Sequence, residues 1–240
     1  MGVIWNPWHG CHRCSDGCKY CYIHKGDAKR GVDTSKVTKT AKFYAPIETK
    51  RSGEYKIKSG QQVFLCFTSD FLVEDADEWR GECWDMIKQR SDLHFIFLTK
   101  RIERLCEVLP NDWGDGYENV TIGCTIENQA NADRRLDIFD KLPIKHRNII
   151  CQPMLERMDI STHLKAVELV IAGGESDRYA RPLDYEWVLF LREQCVNAGV
   201  DFEFRQLGTH FIKDGKEYTI QTRDLCSQAK KADINYYKSK

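Results

Sequence analysis

The sequence predicts an α/β protein built as a partial parallel barrel, and three observations carry that expectation. Short apolar runs rich in β-branched and aromatic residues recur six times from Gln61 onward, amphipathic stretches of helical length separate most of them, and each apolar run ends in polar, chemically able side chains. Strand and helix alternating at this spacing imply parallel pairing through helical crossovers, in a partial or complete barrel or an open doubly wound sheet. With 240 residues, 42% of them apolar and 11% aromatic, the chain can bury a core of that size.

Taken in order, the expected strands are QQVFLCF (61–67), LHFIFLT (93–99), NVTIGCTI (119–126), RNIICQP (147–153), ELVIAG (168–173) and DFEFRQ (201–206). The expected helices are DEWRGECWDMIKQR (77–90), RIERLCEVL (101–109), QANADRRLDIFDKL (129–142) and DYEWVLFLREQCVNAG (184–199), the last closing on Gly199 as a C-cap. Residues 25–60 read as a polar, basic helix or loop crossing a surface. Lys36, Lys39, Lys42, Lys50, Arg51, Lys56 and Lys58 surround the pair Phe43 and Tyr44 there, either as a solvated face or as a landing strip for phosphates. The barrel is expected over 1–208, with 209–240 a small C-terminal appendage rather than a second domain and DGK (214–216) a hairpin turn.

Thirty-six basic residues balance thirty-six acidic ones, which removes a global positive field for nucleic acid or anionic membrane. No apolar run approaches the roughly 20 residues of a membrane span, and MGVIWNPWHG lacks the basic start and apolar core of a signal peptide. The expectation is a cytoplasmic protein with no membrane partner. No P-loop and no G-x-G-x-x-G fingerprint is present, which weighs against nucleotide hydrolysis and nicotinamide chemistry.

The carboxyl ends of the strands are where α/β sheets and barrels place their functional groups. Here they carry Thr68-Ser69-Asp70, Thr99-Lys100-Arg101, TIENQ (125–129), Gln152, GGES (173–176) and Arg205-Gln206. Six clusters on one rim point to one shared site. Gly173 and Gly174 serve either a tight turn or the close approach of a ligand to backbone amides.

The remaining signal is CHRCSDGCKYCY (11–22), four cysteines in twelve positions. Cys14, Cys18 and Cys21 are spaced C-x3-C-x2-C, and three thiolates on one short loop can hold three irons of a 4Fe-4S cluster and leave the fourth iron open. With Cys11 the set becomes C-x2-C-x3-C-x2-C, which could instead close around zinc, although the three-residue gap is cramped for two zinc knuckles. Most other cysteines, namely Cys66, Cys83, Cys106, Cys124, Cys151 and Cys195, lie inside apolar patterns and read as small hydrophobes.

The three-cysteine spacing resembles the radical SAM superfamily, whose cluster loop follows the first strand of a (β/α)6 partial barrel. A closer resemblance covers nearly all of the chain to about residue 210. WNPWHGC, SDGCKYCY, TSDF, FLTKR, TIENQ followed by ADRR, IAGGES with RP shortly after, and FRQLG occur in an order similar to the phage-associated three-Cys-motif family of uncharacterised proteins. That likeness implies Cys11, Cys18 and Cys21 as ligands with Cys14 a spare thiol, whereas the superfamily spacing selects Cys14, Cys18 and Cys21; all four stay in the metal set. The radical SAM resemblance implies S-adenosylmethionine (SAM) as cofactor and partner, and the strand-end residues offer candidates for it: Tyr20 beside the adenine, Ser69 and Asp70 for the amino group, Lys100 or Arg181 for the carboxylate, Glu127 and Asn128 for the ribose, and Gly173, Gly174 and Glu175 lining the cofactor or substrate. The substrate stays open between nucleic acid and protein. The contrasting expectation is a non-catalytic zinc-binding barrel that serves as a binding protein in a phage or defence module.

Overall fold

The computed structural model describes residues 2–238. The chain is a mixed α/β protein with a seven-stranded parallel sheet. The strands of that sheet are β1 (Val3–Trp5), β4 (Gln62–Leu65), β5 (His94–Thr99), β6 (Val120–Thr125), β7 (His146–Cys151), β8 (Leu169–Gly173) and β10 (Asp201–Gln206). They lie side by side in chain order, β1-β4-β5-β6-β7-β8-β10. An order that never reverses has no topological switch point, which separates it from a doubly wound sheet. Six of the seven form where the apolar runs placed them. The seventh, β1, is three residues long, too short to show a period, and is recruited by register with β4, Trp5 opposite Leu65.

Between these strands lie β2 (Trp8–His9), α1 (Tyr22–Lys29), β3 (Thr38–Lys39), α2 (Asp77–Gln89), α3 (Leu105–Val108), α4 (Gln129–Phe139), β9 (Leu183–Asp184) and α5 (Tyr185–Ala198); β11 (His210–Lys213), β12 (Lys216–Thr219) and α6 (Leu225–Lys231) follow. Local chemistry sets several boundaries. The Asn128 side chain caps α4 by accepting from the Asn131 amide at 2.9 Å, and Asp184 caps α5 through the Glu186 amide at 2.9 Å. Gly199 ends α5 at φ +64°, as its sequence position predicts. The stretch 101–109 is shorter than expected: a 3-10 turn over Ile102–Arg104 leads into a single α-turn, because Pro110 forces Leu109 into the extended region.

The chain divides into two compact units. The first comprises Met1–Arg13, Ile23–Gly123 and Leu142–His146; the second comprises Cys14–Tyr22, Cys124–Lys141 and Arg147–Lys240. In the first, β5 alternates buried Phe95, Phe97 and Thr99 with half-buried His94, Ile96 and Leu98. Its core is aromatic. Phe71 stacks on Trp8 at 5.4 Å and meets Phe97 at 4.8 Å and Trp84 at 5.0 Å, and Trp84 continues to Trp113 at 5.1 Å. The second unit buries Leu136, Phe139, Ile149, Val170, Val188, Leu191, Phe202 and Phe204. Residues 209–238 belong to it: β11 pairs antiparallel with β12 across Asp214 and Gly215, both at positive φ as a two-residue hairpin turn requires, and α6 packs on β10.

Several lysines of the basic stretch 36–58 pair with acids. Lys39 pairs with Glu82 at 2.9 Å and lies over the Phe43 ring at 4.1 Å, Lys56 pairs with Glu48 at 2.9 Å, and Lys50 pairs with Glu54 at 3.1 Å. Phe43 is buried in the core, whereas Tyr44 is exposed and donates its hydroxyl to Glu82 at 2.8 Å. Among the described residues no helix is long and apolar enough to cross a membrane.

Trp84 ties α2 to this aromatic core and donates its indole N–H to the Val108 carbonyl at 2.8 Å. Trp84→Ala should cost about 3–5 kcal/mol of unfolding free energy, read by urea denaturation; a loss below about 1 kcal/mol would mean that the cluster does not carry the core.

Candidate functional site

In the first unit, the strand-end residues are organised by one buried carboxylate. Cys66, after β4, adopts φ +59° with its amide donating to the Trp5 carbonyl at 2.9 Å, and this sharp turn sends Asp70 under the end of β5. Asp70 is only 5% exposed. Its Oδ1 accepts from Thr99 Oγ1 at 2.8 Å and the Leu72 amide at 2.9 Å, and its Oδ2 from the Lys100 amide and Arg101 Nη1, both at 3.1 Å. Both oxygens expected to meet a cofactor amine therefore bind the chain itself. Ser69 donates its hydroxyl to the Gly10 carbonyl. Lys100, half-buried, supplies the amide just named.

Arg101, a residue that sequence reading placed on the rim without a role, extends from Asp70 to the segment carrying Cys11. Its Nη1 lies 3.8 Å from Cys11 Sγ and its Nη2 donates to the His12 carbonyl at 2.8 Å. The same segment is pinned by the Cys11 amide on the Thr34 carbonyl at 2.8 Å. Gly10 makes this path available: at φ +106°, a Cβ there would lie 2.7 Å from the Lys36 carbonyl oxygen. Beneath it, Asp27 is fully buried and accepts from Thr34 Oγ1 and His9 Nε2, each at 2.8 Å, and from Arg30 at 2.5 Å.

In the second unit the cysteine loop runs through a 3-10 turn at Asp16–Cys18. Cys14 is exposed, Cys21 half-buried and Cys18 buried, with the Ser15 hydroxyl 3.8 Å from Cys18 Sγ. Glu127, after β6, accepts from the Gly17 amide at 3.3 Å and from Arg135 Nη1 at 2.6 Å. Glu127 and Arg135 are both 0% exposed, and Arg135 also donates to the Thr125 carbonyl at 2.7 Å. Glu175 chelates Arg181, taking its amide at 2.8 Å and its Nε at 3.1 Å on one oxygen and its Nη2 on the other. This holds the guanidinium further into its charged range. Arg181 Nη2 reaches the Asp16 carbonyl at 2.8 Å, and the guanidinium lies 5.6 Å from the Tyr20 ring centroid.

The other rim residues have structural duties. Asn128 is the α4 cap. A Cβ on Gly174 would fall 2.4 Å from Gly208 Cα, and one on Gly173 would fall 3.0 Å from Gln152 Cδ, so both glycines serve close packing within the chain. Arg135 was legible only as part of ADRR and Gly208 only as the end of FRQLG; the role of Gly208 depends on a residue 34 positions away in sequence.

None of the eleven cysteines is in a disulfide. Burial pushes the thiols of Cys66 and Cys151 up, and that of Cys195 up to about 12, as expected for inert core residues. Cys106 departs from that expectation: it is exposed, because the single turn of α3 buries Leu105 instead. Among the described residues no three His, Cys, Asp or Glu side chains are gathered into a group that could hold a metal ion. The donor chemistry of the loop, thiols at C-x3-C-x2-C, fits an iron–sulfur cluster; the geometry is not a ready-made cage.

Burial alone would raise the Asp27 carboxyl, but hydrogen bonds from Thr34, His9 and Arg30 outweigh it and hold the group below its usual range. Its stabilising contribution is therefore present above about pH 4 and lost as pH falls through the depressed value. Asp27→Asn should lower Tm at pH 7, with the gap to wild type closing in acid; a gap constant from neutral pH to about pH 3 would refute this.

No curated protein and no solved structure matches the chain. One family model, described as "Protein of unknown function (DUF5131)", matches residues 2–237. With nearly its whole length matched, the chain belongs to the DUF5131 family.

Proposed function

We propose that the chain is a radical SAM enzyme that holds a 4Fe-4S cluster on its N-terminal cysteine loop. The observation that carries this reading is the thiol spacing C-x3-C-x2-C on a loop that follows β1 and precedes a parallel sheet wound in one direction. The fold that accompanies it is a partial (β/α)6-like barrel, and the phage-associated three-Cys-motif family is the branch its motifs resemble. Cys18 and Cys21 hold the cluster with Cys11 as the third ligand that the family motifs select; Cys14 replaces Cys11 in the alternative trio that the superfamily spacing selects.

When bound, such a cluster supplies the electron that cleaves the SAM sulfonium to a carbon radical. The chain's own residues bind and orient. Tyr20 and the exposed part of Arg181 offer a ring and a cation for adenine and carboxylate. Asp70, Glu127 and Glu175 act by fixing the backbone around the thiols, since their oxygens accept from chain donors. The substrate stays open between nucleic acid and protein: Lys39, Lys50 and Lys56 pair with acids, but only through exposed ion pairs that a phosphate backbone could displace.

Protein prepared and reconstituted without oxygen should contain about four irons with matching sulfide, and should release 5'-deoxyadenosine from SAM after dithionite reduction. Cys18→Ser and Cys21→Ser should each abolish iron uptake, and comparison of Cys11→Ser with Cys14→Ser identifies the third ligand. Stoichiometric zinc with no iron uptake and no SAM cleavage would overturn the proposal in favour of a zinc-binding module.

A further inference from the structure

The gap between Cys14 and Cys18 contains one peptide group whose two polar ends are both held. The carbonyl of Asp16 accepts from Arg181 Nη2 at 2.8 Å, and the amide of Gly17, across the same peptide bond, donates to Glu127 Oε1 at 3.3 Å. A cation therefore meets the negative end of this peptide dipole and an anion its positive end, the favourable sense at both. Neither charge is loose. Arg181 is chelated by Glu175, whose carbonyl accepts from the Thr209 amide at 2.9 Å and whose neighbour Gly174 packs on the Gly208 backbone. Glu127 is held by Arg135, itself fully buried and bonded to the end of β6.

We propose that Arg181 and Glu127 are positioning residues for the cysteine loop: together they clamp the Asp16–Gly17 peptide and fix where Cys18 is presented. The clamp rests on the radical SAM reading only for the identity of the metal the loop receives. The spacing of the thiols is encoded locally, but three residues between Cys14 and Cys18 leave the backbone many conformations. The two ion pairs select one of them, in which Cys18 is 9% exposed while Cys14 stays open to solvent.

The test uses the full chain without metal, treated with N-ethylmaleimide and mapped by mass spectrometry. Arg181 is partly exposed, so its variants should fold. In Arg181→Gln the alkylation rate of Cys18 should rise about tenfold, the effect of losing one hydrogen bond to a charged group on local opening. Arg181→Lys, which keeps a cationic donor for the Asp16 carbonyl, should restore part of the protection. Cys151, fully buried, reports global unfolding and should label at the wild-type rate. A Cys18 rate unchanged in Arg181→Gln, or rising only in step with Cys151, would overturn the clamp. Because this readout involves no metal, it is separate from iron uptake: wild-type protein that takes no iron would remove the cluster and leave the clamp result standing.

Discussion

A carboxylate taken out of water must be met by donors or it will not stay charged, and three strand ends of this protein are organised by that requirement. Asp70, Glu127 and Glu175 are nearly or fully buried. Each recruits an arginine, Arg101, Arg135 and Arg181 respectively, together with at least one backbone amide. The amides come from loop and 3-10 turn positions outside the strands and α-helices. Burial of the charge and order of the loop are thus linked, most tightly at Glu127 and Arg135, where both partners are fully buried and removal of either would leave the other uncompensated.

The consequence is local order in the cysteine segment. These strand-end residues turn inward on the chain, and what they hold in place is the backbone beside Cys11 in one unit and beside Cys18 in the other. A loop without packed elements cannot hold one geometry by itself, and these contacts supply the support.

Arginine is used throughout as a buried structural donor. Arg80 donates to the carbonyls of Phe71 and Val73, and Arg90 to those of Pro46 and Ile57, each also paired with an aspartate. The planar guanidinium can satisfy several carbonyls that turn away from the sheet, a task lysine cannot perform with the same geometry. A small part of the chain's balanced charge, including Asp27, Asp70, Arg80, Arg90, Glu127, Arg135 and Glu175, is buried and bonded within the fold, which the net charge does not reveal.

The sequence by itself determined the class of the protein. Apolar runs of strand length, separated by amphipathic stretches, specified six of the seven strands and their parallel pairing, because parallel neighbours require crossovers; the strand order that excludes a doubly wound sheet came from the fold. Local signals such as Gly199 and DGK (214–216) specified a cap and a turn, since both depend on backbone conformations that few residues adopt. The cysteine spacing was likewise complete in the sequence. Only the tertiary structure decided what the rim residues do. The pairing of Glu175 with Arg181 spans six positions, but the contacts of Arg181 with Asp16 and of Glu127 with Gly17 span more than a hundred. No periodicity encodes contacts of that range; they exist only after the strands have brought distant loops to common ends. Gly174 shows the same limit, for its need to be glycine comes from the backbone of Gly208, which only the fold puts beside it.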